Sequence, residues 1–473
     1  MKAGPAAYTP AQNPMDRAAT SRPRPQGRER APPLTKLTQA AFLKFLLPPA
    51  PVSAEELAAA LRGGATSAWD SAADELARPY GEIRSALAVA KSLLDAIPPA
   101  EFERYMRCVD LYRGLKRALR AECGMQVTTN ASLKMYELIT QMRLVACAEG
   151  APPRLRAFCD AELPGAFVVA INHYVRAMCP ETTLEWVASS YCPEDAAAAG
   201  NSTIVGDDYG VYAGNRERWL MGPRPNALPV GEPDVSGDVT DADVVAALAD
   251  AVHARYGAGA APSGATLYTS DAGIDVSADY NRQEEITALL NFGQVLAGLL
   301  SLAPGGHLVT KQYTFTTPFS RSLIALVVAL FDEAYIAKPL ASRPANSEVY
   351  LVGKGFRGVD LPLAGALLDR LAALRRSVGE GVGAEAWPPL LDPALYRDVD
   401  AALLRAARQI HGRQQVAFLR EAAGLYGQFK GRPDALERAL RGEAARAQEA
   451  WLLANPVRRL RDDFGVVTGP REK

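Results

Sequence analysis

Residues 305–356 read GGHLVTKQYTFTTPFSRSLIALVVALFDEAYIAKPLASRPANSEVYLVGKGF. Two short apolar runs rich in β-branched residues, His307–Thr310 and Val349–Val352, predict strands. Between them Leu323–Phe331 is apolar enough to predict a buried helix. Each strand carries one ionisable residue at its edge, Lys311 after the first and Glu348 before the second. Strand ends are where α/β sheets place their chemistry. A surface salt bridge is the plainer account of either residue alone. Pro344, in the run SRPANSE, stiffens the approach to Glu348 and favours a built site.

Working back from this stretch, the same alternation continues. Ala265–Ser270 predicts a strand ending at Asp271, and Asn281–Leu302 a long helix closed by Pro304-Gly-Gly306. Asp241–Tyr256 is an amphipathic helix pattern. Further back, Leu155–Cys159 predicts a strand that runs through Asp160-Ala-Glu-Leu-Pro-Gly-Ala-Phe167 into a helix over Val168–Met178. Strand, Pro-Gly turn and helix are how a doubly wound sheet presents its first ligand loop. Gly165 lets backbone approach a ligand, and Glu162 is a candidate acceptor. Residues 181–240 lack a regular pattern and are rich in Trp, Tyr, Gly and Asp, which marks a functional insertion. The whole predicts a three-layer α/β domain.

The flanks differ. Residues 1–35 hold Pro, Arg, Ala and Gln with little apolar bulk, and read as a disordered basic tail. Such a tail suits weak RNA contacts or a localisation signal, a solvated linker being the plain alternative. Residues 36–124 are helical in pattern, with a capping box of Ser53 and Glu56. A further helix follows Thr129 and Asn130 and carries Lys134 in its first turns. Residues 358–473 are again helical, and nothing in them points to catalysis.

The 473 residues carry a net charge of -1, so RNA binding calls for a local patch rather than a global field. The six cysteines form no CxxC pair and are scattered, against a zinc site or a disulfide scaffold. Four separated histidines give no metal-site pattern. No metal, membrane or DNA partner is expected. A location in nucleus, cytoplasm or, for a viral protein, virion or viral factory follows, rather than secretion.

Lys134, Asp271, Lys311 and Glu348 now form an ordered Lys-Asp-Lys-Glu set. With NASLKM around Lys134, LPGAF at 163–167, GDVT at 237–240, SDAG at 270–273 and the two long blocks 305–320 and 338–356, the chain resembles the FtsJ-type RNA ribose 2′-O-methyltransferases over residues 125–357. The fit is closest to the eukaryotic and viral messenger-RNA cap branch. The resemblance implies a Rossmann-like fold with helical flanks that binds S-adenosylmethionine and methylates the ribose of the first transcribed nucleotide of capped RNA. It implies catalytic roles for Lys134, Asp271, Lys311 and Glu348. It implies cofactor contacts at Ala161, Glu162, Leu163, Pro164, Gly165, Ala166, Phe167, Asp238 and Val239. Asn281, Arg282, Gln283 and Asn346 match substrate-contacting positions. There are two departures from the pattern. The family's Pro-Gly-Gly turn is Pro164-Gly165-Ala166 here, and the acidic residue before it is blurred between Cys159 and Asp160.

The residue types fit that chemistry. A ribose hydroxyl must be positioned and lose a proton, which Lys311 can take if it is neutral. Lys134 nearby would lower its pKa, and Asp271 and Glu348 would oppose that. Trp186, Tyr191, Tyr209, Tyr212 and Trp219 are candidates to stack on a cap, with ordinary packing as the alternative. A capping enzyme or polymerase would be a fitting partner for the helical flanks. Methylation of ribosomal or transfer RNA, or a silent scaffold on the same fold, are the competing readings.

Overall fold

The computed structural model describes residues 41–63, 76–146, 153–191, 206–220, 236–257, 263–276 and 279–467. All fall within the compact unit Thr35–Lys473. The basic tail read at 1–35, and much of the insertion read at 181–240, lie outside the described residues.

The chain opens with strand β1 (Leu43–Leu47) and helices α1 (Ala54–Gly63), α2 (Ala77–Ser92), α3 (Pro99–Cys108), α4 (Arg113–Cys123) and α5 (Asn130–Met142). Then follow β2 (Arg154–Asp160), α6 (Ala166–Met178), β3 (Thr183–Ala188), α7 (Ala242–Gly257) and β4 (Ala265–Ser270). After these come α8 (Gln283–Ile286), α9 (Ala288–Ser301), β5 (Leu302–Gln312), α10 (Pro318–Leu330), β6 (Phe331–Lys338) and β7 (Val349–Phe356). The C-terminal helices are α11 (Leu361–Gly379), α12 (Arg397–Ala407), α13 (Val416–Phe429) and α14 (Pro433–Ala454), with a π-helical segment, Arg408–Gln415, between α12 and α13.

The strands form one sheet in the order β1-β6-β7-β5-β4-β2-β3. From β3 through β2 and β4 to β5 the pairing is parallel. β7 runs antiparallel between β5 and β6, and β1 adds antiparallel to β6. This is a Rossmann-like α/β fold. The order reverses at β2, which has β3 on one side and β4 on the other, so a crevice opens at the carboxyl ends of β2 and β4. Alternation along the strands divides the core. Phe158, Tyr268 and Leu308 join the apolar cluster that includes α7, α9 and α10, while Ala157, Cys159, Leu267 and Val309 join the one with α5 and α6.

Several expectations hold locally. Ser53 and Glu56 form their reciprocal cap, with the Ser53 amide 2.8 Å from Glu56 Oε2 and the Glu56 amide 3.2 Å from Ser53 Oγ. Thr129 caps α5 by accepting from the Ser132 amide.

Others change. β3 lies inside the segment read as irregular, paired in parallel with β2. β6 had no counterpart in the sequence reading, because Asp332 and Glu333 interrupt its apolar pattern; the two residues face solvent at the strand's start. β1 replaces expected helix, its residues finding backbone partners on β6 rather than in a turn of their own. The long helix over 281–302 is interrupted at Thr287, and β5 begins at once after it. Lys311 therefore lies within a strand rather than after one. Cys179 is disulfide-bonded, against the reading of scattered thiols, while Cys108, Cys123 and Cys159 are free.

The flanks wrap the sheet domain together. α14 packs on α3 and α4, and α13 on α2. A buried ion pair ties α10 to α12, Arg321 Nη1 standing 2.6 Å from Asp400 Oδ2, with the Tyr80 ring of α2 4.7 Å from the guanidinium. No described helix is long and apolar enough to cross a membrane.

Candidate active site

The crevice at the switch point is a cleft of about 530 Å³. Its floor is the end of β2. Asp160, buried there, accepts hydrogen bonds from Ser189 Oγ at 2.6 Å, Ser270 Oγ at 3.2 Å and Tyr268 Oη at 3.3 Å. One carboxylate thus gathers the tips of β2 and β4 and the residue after β3. Burial pushes its pKa up, and these hydroxyls pull against that. The acidic position left blurred in the sequence is Asp160.

Glu162 turns back to cap α6, its Oε1 accepting from the Val168 amide at 2.8 Å. Burial raises its carboxyl to about 8, with amides opposing and Asp271 and Asp160 adding to the rise. Gly165 sits at φ 102°. A Cβ there would stand 2.6 Å from the Val211 side chain. The glycine therefore makes room for the 206–220 segment, where the sequence pointed to a ligand. Ala161, Leu163, Pro164, Ala166 and Phe167 line the cleft with Glu162, and Gly165 shapes the turn between them.

Asp238 and Val239 form another wall. Their loop rides on α9 at Gly293, where a Cβ would come within 1.9 Å of the Val239 carbonyl oxygen. The Asp238 carboxylate is held on two sides: Oδ1 accepts from the Thr240 amide at 3.0 Å and from its hydroxyl at 2.6 Å, and Oδ2 pairs with Arg375 of α11 at 3.2 Å.

Asp271 and Lys311 complete the lining, and with them the four ionisable residues meet. Lys134 of α5 donates to both oxygens of Glu348, at 3.0 and 2.9 Å, and lies 3.8 Å from Asp271 Oδ2. Lys311 donates to the Asp271 carbonyl at 2.7 Å, with Oδ1 of the same residue at 3.5 Å. Tyr350 of β7 donates to Asp271 Oδ1 at 2.8 Å, and its ring centroid is 5.6 Å from the Lys134 ammonium.

The sequence left the charge of Lys311 open between Lys134 and the two carboxylates. Burial alone would lower its pKa, but Asp271, Tyr313 and Glu348 together raise it above the ordinary lysine value. Lys134 does not drive it down, because that ammonium is held by Glu348. Lys311 rests as an ammonium. For Glu348, burial pushes up, yet Lys134, Lys311 and Lys338 prevail and hold the carboxyl at about 2.

The loop carrying Glu348 is held from below by groups the sequence reading missed. Lys338, at the end of β6, donates to the Asn346 and Glu348 carbonyls at 2.7 and 2.6 Å. Burial lowers its pKa to about 7, against the pull of Glu348. Ser342 Oγ donates to Glu348 Oε1 at 2.8 Å. Glu137 of α5 accepts from the Leu340 and Ala341 amides at 2.6 and 2.8 Å, and from Trp451 Nε1 at 2.8 Å. Gln415, closing the π-helical segment, donates to the Ala345 carbonyl at 2.8 Å and to Ser347 Oγ at 3.1 Å. Ser342 and Lys338 lay inside the block 338–356 and were open to inspection; Trp451 and Gln415 lie far along the chain and had no local signal.

The four substrate-matched positions are exposed or half-buried, and are placed differently. Asn346 is exposed on the loop before Glu348. Asn281 and Gln283 line a separate, smaller cleft, and Arg282 pairs with Glu285 and Glu385 at 3.0 and 3.1 Å. The aromatic candidates for stacking are mostly core. Trp186 and Trp219 are buried edge to face, with Tyr212 against Trp219 and Tyr209 packed on the same cluster. Tyr191, 38% exposed, lines the large cleft.

The chain has relatives among known proteins. The profile of a family described as FtsJ-like methyltransferase matches residues 128–356. The chain is 35% identical, over 373 residues, to a protein of African swine fever virus (isolate Pig/Kenya/KEN-50/1950) named "Probable methyltransferase EP424R"; the match covers 78% of this chain and 81% of the viral protein. It is 26% identical over 281 residues to the Mus musculus protein named "Cap-specific mRNA (nucleoside-2'-O-)-methyltransferase 2", covering 59% of this chain and 34% of that one. Among solved structures, a ribosomal RNA methyltransferase from Plasmodium falciparum aligns with a TM-score of 0.30 at 14% identity, covering 49% of this chain and 98% of that one, a likeness too slight to argue from.

Proposed function

Because the chain belongs to the FtsJ-like methyltransferase family, we propose that it transfers a methyl group from S-adenosylmethionine to a ribose 2′-hydroxyl of RNA, at the first transcribed nucleotide of a capped messenger. The observation that carries the proposal is the meeting of Lys134, Asp271, Lys311 and Glu348 beside the large cleft. The cap assignment draws on the block 338–356 and on relatives named for cap-specific activity.

The cleft suits S-adenosylmethionine by the chemistry of its walls. Glu162 is raised by burial and by two neighbouring carboxylates, with amides as the groups opposing them. A carboxyl so placed favours a ligand cation, as the amino and sulfonium groups are. Val239, Ile274 and Leu290 beside Asp238 give an apolar slot with an acceptor, suited to adenosine. When bound, the cofactor supplies a methyl already electrophilic on its sulfonium.

The chain's own residues then have one task, to present the ribose oxygen. Lys311 donates a hydrogen bond to that oxygen and aims its lone pair into the cleft. Its positive charge stabilises the oxygen as the hydroxyl proton leaves to solvent water and the oxygen takes the methyl, the methyl–sulfur bond breaking so that sulfur keeps the electron pair as a neutral thioether. Asp271 fixes Lys311 from behind, and Tyr350 fixes Asp271. The Lys134–Glu348 pair sets the distance between α5 and the loop before β7. Such pre-positioning is a large part of what this reaction requires.

The test is methyl transfer from labelled S-adenosylmethionine to capped and uncapped short RNAs, followed by nuclease mapping. Label on the first ribose of capped RNA alone is expected. Label on a base, or none on any RNA, would overturn the proposal.

A further inference from the structure

A second cleft, of about 230 Å³, is lined by Ser347, next in sequence to Glu348, and by Thr314, three residues beyond Lys311. Its other walls are the 280–285 segment and one face of α2, where Arg84, Ala88 and Lys91 follow at helical spacing. α2 lies outside the residues matched by the family.

The charges in this cleft are unequal in their engagement. Glu284 is consumed internally: it accepts from the Thr316 amide and hydroxyl at 2.8 and 2.7 Å and from the Thr317 amide and hydroxyl at 2.8 and 2.9 Å. Glu285 is paired with Arg282 at 3.0 Å. Lys91 donates to a neutral group, the Tyr280 carbonyl at 2.8 Å. Arg84 is exposed and makes no ion pair among the described residues. Burial lowers the pKa of Lys91, with Asp279 pulling against that, and the Asp279 carboxylate itself accepts from the Asn281 amide at 3.0 Å. What the cleft offers a ligand is therefore two cations, with the ring of Tyr280, a residue 59% exposed, at its edge.

We propose that this cleft holds the nucleotide adjoining the methylated one, with Arg84 and Lys91 meeting a backbone phosphate and Tyr280 stacking on a base. The proposal rests on the RNA reading above and extends it: the N-terminal helical flank becomes part of the substrate site. Phosphate contacts from cations and base stacking on an exposed aromatic ring are the two means by which single-stranded RNA is held.

The experiment is fluorescence anisotropy with the full chain and labelled RNAs: a cap dinucleotide, a capped oligonucleotide, and the same oligonucleotide uncapped. Arg84→Glu and Tyr280→Ala change exposed side chains. Each should weaken binding of the capped oligonucleotide by about tenfold, and Arg84→Glu should lower the slope of log affinity against log salt by about one. Loss with the oligonucleotides alone supports the subsite for the downstream strand; an equal loss with the dinucleotide would move the cleft to the cap side and overturn it. Unchanged binding of all three RNAs by both variants would overturn the subsite. If wild type still methylates RNA in that case, the proposed function stands without it; if wild type binds no RNA, both fall.

Discussion

Both oxygens of Glu348 are hydrogen-bonded to the ammonium of Lys134, at 3.0 and 2.9 Å, in a site where both side chains are almost wholly buried. Removing one partner of such a pair leaves a charge in poor surroundings and costs about 3 kcal/mol or more. Lys134→Ala should therefore lower the melting temperature and abolish turnover. The double variant Lys134→Met with Glu348→Gln should regain most of the stability and none of the methyl transfer. Recovery of both would reduce the pair to a structural strut.

Lys311→Ala should cut methyl transfer by about two orders of magnitude or more, the scale seen on losing a group that handles the reacting proton or oxygen. Lys311→Arg should not rescue it, since a guanidinium cannot reproduce the compact contact with the Asp271 carbonyl at 2.7 Å. The pH profile separates two roles. With its pKa raised by its acidic neighbours, Lys311 stays charged through neutrality, so the chemical step should be flat from about pH 7 to about pH 9. A climb of about tenfold per pH unit across that range would show that the neutral amine reacts.

Glu162 ionises at about 8 in the folded protein, against an ordinary 4.5. Between those values the unfolded chain binds fewer protons, so this residue's contribution to stability falls as pH rises through the window. Glu162→Gln keeps an oxygen for the Val168 amide and does not ionise. Its melting temperature should gain on wild type steadily from about pH 5 to about pH 8. A difference independent of pH would mean that the carboxyl titrates normally.

Gln415→Leu should strand the Ala345 carbonyl and the Ser347 hydroxyl, a cost of about 1–3 kcal/mol for a buried group left unpaired. Because those groups flank Asn346 and Glu348, the turnover number should fall while the melting shift produced by S-adenosylmethionine stays as in wild type. Equal activity per folded molecule would detach the π-helical segment from the reaction.

In the parallel half of the sheet β2, β4 and β5 were legible as short apolar runs, whereas β3 lay inside the segment read as irregular, and the four-residue set was legible because each member sits at a strand edge or a helix start. β6 and β1 were not. Asp332 and Glu333 hide the first, and the second is a strand only by virtue of its partner. Gly165 was assigned to a ligand from local residues alone, whereas Val211, brought in by the fold, is what it makes room for. The charge of Lys311, left open in the sequence between Lys134 and the two carboxylates, is decided by Asp271 first among its neighbours. Spacing gives which residues converge; it does not give which neighbour each one spends its charge on.

The supports of the Glu348 loop have a consequence for biosynthesis. Gln415 and Trp451 are translated well after the loop they steady. While the nascent chain is still threaded through the ribosome, the sheet and the cofactor cleft can form, but the segment presenting Glu348 lacks its last anchors. The finished site thus depends on residues made after it, and a chain ending before Gln415 would lack two supports of the Glu348 loop.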